Sequence, residues 1–278
     1  MKKQTFTKAG TNRNEDTVFA NNFFGFVIDG ATGLAGTTVS PCESDAQWFA
    51  LALAERLKFD LMNPQDIRTI LTKILKEVNN DFNSFDGAEN VLIKPSAGIA
   101  IYRIVGDFVE YFVLGDCSIL FKTNDGNIFH YHCTDLEPFD KANIALMQKR
   151  AIENGIDVID AFPLIMNELQ YVRNLKNKEN GYYILSDDLE AVKHGIYGVI
   201  EKNKIQDILL TTDGFSQIFD VFNAYNKVEL FEALKTKNLE DIYAELYALQ
   251  EKDKKCNKHP RFKTRDDATA AHIDFSNN

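Results

Sequence analysis

Phe23-Phe24-Gly25-Phe26-Val27-Ile28 is an apolar run that ends in Asp29-Gly30, and far along the chain Ile208-Leu209-Leu210 leads through Thr211-Thr212 to Asp213-Gly214. Each run has the length and composition of a buried strand, and each delivers a carboxylate at its end. Alone, an Asp-Gly pair is ordinary turn chemistry, because Asp tolerates tight bends and Gly accepts positive φ. Asp86-Gly87 and Asp125-Gly126 lie in polar surroundings and read as plain turns. Further acids flank strand-like segments: Glu15-Asp16 before Thr17-Val18-Phe19, Asp116 after Phe112-Val113-Leu114-Gly115, and Asp266-Asp267 before residues 268–275. Buried strands that bring separate carboxylates to one place are how a protein gathers oxygen ligands for a hard divalent cation.

Working outward, residues 17–29 read as two strands joined at Asn21-Asn22. A helix pair is expected at 41–58 and 64–83. The first has Ser40 as N-cap, Pro41 at the first helical position and Glu43 completing a capping box. The second starts at Asn63-Pro64 and carries Ile67, Ile70, Leu71, Ile74, Leu75, Val78 and Phe82 at helical spacing. Residues 97–132 switch to short β-rich runs with tight connections, which predicts an antiparallel meander. Residues 138–176 read as helical with Gly155 as a C-cap. Then follow a strand at 182–185, a short helix at 187–194 stopped by Gly195, a strand at 207–212, helices near 228–236 and 239–252, and a closing strand. With no repeat and no Pro-rich or Gly/Ser-rich linker, one α+β domain over residues 1–278 is the simplest account, the stretch at about 138–176 being a helical elaboration.

At 278 residues and 45% hydrophobic, the chain can bury a large core. Its 31 basic and 41 acidic residues give a net charge of −10, which argues against a nucleic-acid-binding surface. Cys42, Cys117, Cys133 and Cys256 show neither Cys-x-x-Cys nor zinc-type spacing and read as reduced, mostly buried thiols. No apolar stretch follows the basic start and none reaches the roughly 20 residues that span a bilayer, so a cytoplasmic protein without a membrane partner is expected. His130, His132, His194, His259 and His272 lie outside the acidic motifs and read as structural.

Taken in order, Asn14-Glu15-Asp16, Phe26-Val27-Ile28-Asp29-Gly30, Val113-Leu114-Gly115-Asp116, Leu210-Thr211-Thr212-Asp213-Gly214 and Arg265-Asp266-Asp267-Ala268-Thr269 resemble the motif series of the metal-dependent protein phosphatases of the 2C type. The resemblance implies a four-layer α-β-β-α sandwich, two central antiparallel sheets flanked by helices, with two Mg or Mn ions at one end. By that likeness Asp29 would bridge both ions and the carbonyl of Gly30 would reach one of them. Glu15 would help hold that second ion, while Asp213 and Asp266 would hold the first. Asp16 would orient water, and Asp116 matches the position that serves an additional, third metal in some members. The implied reaction is removal of phosphate from Ser or Thr of a phosphorylated protein substrate by water held between the ions, with no covalent nucleophile. Oxygen-only donors suit Mg or Mn rather than zinc, and two such ions clamp a phosphoryl group for in-line attack.

The chain departs from the family pattern twice. Asp29-Gly30 is followed by Ala31-Thr32-Gly33 where His-Gly-Gly is usual, so no His protonates the leaving group from Ala31. The phosphate-binding Arg expected at Thr11 is absent, and Arg13, two residues before Glu15, takes its place as the phosphate-binding candidate. Two alternatives stay open: a catalytically weak regulatory or binding module on the same fold, and a phosphatase for a small-molecule phosphoester. The oligomeric state is not encoded in any recognisable motif, and a monomer is the simpler expectation.

Overall fold

The computed structural model describes residues 1–31 and 38–276, so Thr32 and Gly33 of the first motif lie outside the described residues. The strands are β1 (Lys2–Lys8), β2 (Asp16–Ala20), β3 (Phe24–Ala31), β4 (Ser96–Val105), β5 (Phe108–Leu114), β6 (Ser118–Thr123), β7 (Ile128–His132), β8 (Ile196–Glu201), β9 (Ile205–Thr211) and β10 (Ala268–Asp274). The helices are α1 (Asp45–Asp60), α2 (Ile67–Asn83), α3 (Glu137–Asn154), α4 (Met166–Arg173), α5 (Asp213–Asp220), α6 (Lys227–Leu234) and α7 (Leu239–Lys252). They build two five-stranded sheets, ordered β1-β10-β9-β6-β7 and β2-β3-β4-β5-β8, with antiparallel pairing throughout.

The layering follows from side-chain alternation. On β3, Phe26 and Ile28 face α1 and α2, where they pack with Leu53, Leu57, Ile70 and Ile74. Val27 points the other way, into the space between the sheets, against Tyr102, Val113, Ile119, Ile208 and Ile273. The outer face of the second sheet puts Leu120, Leu209 and Ala270 against Phe215, Ile218, Phe231 and Ile242 of α5, α6 and α7. Central strands are therefore covered on both faces, which is why β3 and β9 read as continuous apolar runs rather than alternating ones. The result is the expected four-layer α-β-β-α sandwich.

Several local expectations shift. Helix α1 starts later than the Ser40-Pro41 signal: its N-cap is Ser44, whose side chain accepts from the Gln47 N–H, because Asp45 draws the Val39 and Ser40 N–H groups into a turn. Likewise α2 is capped by Asp66, accepting from Arg68 and Thr69, rather than by Asn63-Pro64. The supposed meander is two hairpins in different sheets, since β4 pairs with β5 while β6 pairs with β7 and β9. Gly115, at φ +78°, and Asp116 carry the chain across the sandwich between them. Residues 182–185 make only single bridges, at Tyr182 and Leu185, and the turn of helix at Leu189–His194 is 3₁₀. Strands β1 and β8 and helix α5 have no clear signal in the sequence. The helical elaboration consists of α3, closed by Gly155 at φ 63°, a 3₁₀ stretch at Ile159–Ile165, and α4.

Candidate metal centre

The acidic motifs converge because four strand ends and one interstrand turn meet at the same edge of the sandwich. Asp29 comes from the end of β3, where it stands opposite Asp16 of β2 on one side and Gly98 of β4 on the other. Gly98 leaves room there: a Cβ would sit 2.4 Å from Oδ1 of Asp116, so a larger residue would push that carboxylate off its place against β4. Strand β9 ends at Thr211, and Asp213 opens α5. Gly214 brings that helix start against the entry to β10, since a Cβ on it would lie 1.9 Å from the Asp267 carbonyl oxygen.

Asp29, Asp116 and Asp213 each offer a carboxylate oxygen, and the three oxygens lie within 4.8 Å of one another. They line a cavity of about 350 Å³ shared with Arg13, Glu15, Gly30, Ala31, Asp266 and Asp267. Asp16 stands behind this lining. It is buried, its Oδ2 accepts from the Thr212 hydroxyl at 2.8 Å, and its Oδ1 has no hydrogen-bond partner among the described residues. Asp116 Oδ1 is likewise buried and unpartnered among the described residues. Buried carboxylate oxygens are normally satisfied, so two such atoms beside a cluster of acids mark a place built for a cation.

The electrostatics carry the same message. Burial, with Asp16, Asp213 and Asp116 as like-charged neighbours, pushes Asp29 well above the usual carboxylate range. Burial and then Asp266 do the same to Asp213. Burial raises Asp116, and it pushes Asp16 up to about 8 against the opposing hydrogen bonds of Thr212 and Thr269. Two ionised oxygens 4.8 Å apart repel by roughly 3 kcal/mol at an effective dielectric of about 20. Three such acids cannot all be charged together at neutral pH unless a cation joins them.

Supporting contacts fix the other motif residues. The Asp267 carboxylate accepts from the Gly10 N–H at 2.8 Å and from the Glu15 N–H at 2.7 Å, which ties the N-terminal strand entry to the last motif. Glu15 takes the Ser44 hydroxyl and the Arg13 Nε, the latter at 3.1 Å, so its position is coupled to the start of α1. Gly30 fits between Glu15 and α1, because a Cβ there would be 2.6 Å from the Glu15 carbonyl oxygen. Asp266 accepts from Lys263 Nζ at 2.6 Å. The clamp role of Asp267 has no sequence signal beyond its place beside Asp266. Asp140 and Asn143 of α3 and Arg173 of α4, from the helical elaboration, line the same cavity. Burial and the neighbouring Asp116 push Asp140 up to about 7, against the pull of Arg173.

Residues 12–251 match the family model described as Protein phosphatase 2C. The fold is similar to that of the serine/threonine phosphatase PstP/Ppp of Mycobacterium tuberculosis, with a TM-score of 0.56 and 12% identity, over 98% of this chain and 97% of that one. It is also similar to the serine/threonine phosphatase Stp1 of Staphylococcus aureus, with a TM-score of 0.55 and 14% identity over 99% and 94% of the two chains. A third solved structure, the catalytic domain of the serine threonine protein phosphatase PstP in complex with two manganese ions, gives 0.53 and 14% over 98% and 97%. None of the curated proteins is a match in sequence.

Proposed function

The chain belongs to the protein phosphatase 2C family and is a metal-dependent protein phosphatase, and on that footing we propose that its acidic cavity holds two Mg or Mn ions and acts on phosphoserine and phosphothreonine. The observation that carries the site reading is the trio of carboxylate oxygens within 4.8 Å, all three pushed towards the protonated state by burial first and by neighbouring acids second. We assign Asp29 to bridge the ions, Asp213 and Asp266 to one of them, and Glu15 with the Gly30 carbonyl to the other. Asp116 we assign to a third. Bound ions of this kind supply the charge that neutralises the acids, acidifies water and draws in phosphoryl oxygens.

The chain's own groups do the rest. Asp16, held by Thr212 on one oxygen, keeps the other for a hydrogen bond from water beside Asp29. Arg13 closes the N-terminal side of the cavity, its Nε on Glu15 and its Nη1 3.4 Å from the Glu43 carbonyl, and is assigned to the phosphoryl group. Ala31 carries no proton donor, so no side chain at that position protonates the leaving oxygen. The four cysteines are free thiols, which suits a reducing compartment and supports action in the cytoplasm. No helix among the described residues is long and apolar enough to cross a membrane. Manganese titration followed with p-nitrophenyl phosphate tests the reading. The wild type is expected to hydrolyse the ester only with metal, and Asp213→Asn to lose activity by at least a hundredfold. Turnover in excess chelator, or full activity in Asp213→Asn, contradicts it.

A further inference from the structure

The cavity that holds the acidic centre contains three cationic side chains, and two of them have an acidic partner within it. Arg13 is paired with Glu15 at 3.1 Å and Lys263 with Asp266 at 2.6 Å. Arg173, the last residue of α4, makes no ion pair among the described residues; its partner is the hydroxyl of Tyr182. One and a half turns into α3, Asn143 is only 6% exposed and lines the same wall, and its amide nitrogen is buried without an acceptor among the described residues. A guanidinium with spare donors and a buried amide donor without a partner are both incomplete in the same sense: each lacks an acceptor. Buried donors are rarely left so, since an unmade bond costs about 1–3 kcal/mol.

Both groups come from the helical elaboration, and both line the cavity that contains the acidic centre. What completes them must be acceptor-only and anionic and must fit beside bound cations. We propose that Arg173 and Asn143 form a second phosphoryl-holding edge, so that the substrate phosphate is gripped between the centre and the helical elaboration. Arg173 is suited to this, because its planar fork matches two phosphoryl oxygens at once, which a lysine cannot reproduce. Asp140 lines the same wall and lies near enough for the charge of Arg173 to act on it. The proposal rests on the phosphatase reading of the cavity.

The test uses the 278-residue chain loaded with Mn, and inorganic phosphate and a phosphothreonine peptide as separate probes. Arg173→Ala is expected to raise the inhibition constant for inorganic phosphate about tenfold or more and the KM for the peptide by a similar factor. Its Mn affinity is expected to remain within twofold of wild type. Arg173→Lys should fall between the two, and Asn143→Leu, which keeps the packing volume and removes the donor, should raise the phosphate constant severalfold. A contact that only stiffens α4 would change thermal stability and leave the phosphate constant alone. If Arg173→Ala and Asn143→Leu both bind Mn and phosphate as the wild type does, the second edge is wrong while the phosphatase reading stands. If the wild type neither binds Mn nor hydrolyses the peptide, the phosphatase reading itself has failed.

Discussion

Replacing Asp16 by asparagine should stabilise the metal-free protein, and by an amount that grows with pH. Asp16 is 8% exposed, and burial carries its folded pKa from 3.8 to about 8. Between those values the folded chain keeps a proton that the unfolded chain has released, so raising the pH destabilises the fold by about 1.4 kcal/mol per pH unit through this one group. From pH 5 to pH 7 the loss is about 2.7 kcal/mol, which for a chain of this size lowers Tm by roughly 5–10 °C. The substituted amide cannot titrate but still offers an oxygen to the Thr212 hydroxyl, which Asp16 Oδ2 accepts at 2.8 Å. Asp16→Asn should therefore gain on the wild type by roughly 2–3 kcal/mol between pH 5 and pH 7, read by chemical denaturation in excess chelator. Asp29 and Asp213, raised for the same reason, leave a residual slope of the same sign in the variant. Manganese at a hundred times its Kd should return about 2.7 kcal/mol per site to the wild type. A difference between the two proteins that stays constant from pH 5 to pH 7 would refute the reasoning.

Two further substitutions probe how the scaffold holds the acids. Gly98→Ala puts a methyl 2.4 Å from Asp116 Oδ1, so that carboxylate must leave the trio; Mn affinity by calorimetry should fall about tenfold, with Tm in chelator changing by only a few degrees. Arg261 is buried and binds Asp253 at 2.9 Å together with the carbonyls of His259 and Thr264, knitting the loop that delivers Asp266 and Asp267 to the site. Arg261→Met should cost about 1–3 kcal/mol, because Asp253 keeps only the Lys258 and His259 N–H groups and two carbonyls lose their donor, and should show as faster amide exchange through residues 253–267.

The architecture was legible where local chemistry and burial agree. The runs ending at Asp29 and Asp213 gave both central strands, because strands covered on two faces carry apolar residues without alternation. The stripe from Ile67 to Phe82 gave α2 for the complementary reason, one buried face at helical spacing. Elements set by tertiary context were harder. Strand β1 is a polar edge strand whose ladder runs along β10 alone, so nothing in Lys2–Lys8 announces it. The transfer between sheets at Gly115-Asp116 has the same residue pattern as a hairpin turn, and only pairing partners distinguish them. At the site, acids that end strands could be anticipated from their own neighbours in sequence. Asn143, Arg173 and the clamp made by Asp267 could not, since their meaning lies in groups remote along the chain, as with Asp267 and the Gly10 N–H it holds from 257 residues away.

In the proposed arrangement Asp29, Asp213 and their neighbours form one centre for two divalent ions. Anomalous scattering at the manganese edge from crystals of the Mn-loaded chain measures this directly. The account predicts at least two anomalous peaks, one on each side of the Asp29 carboxylate, and loss of the shared centre in Asp29→Asn. A single peak away from Asp29, or peaks unchanged in Asp29→Asn, contradicts it.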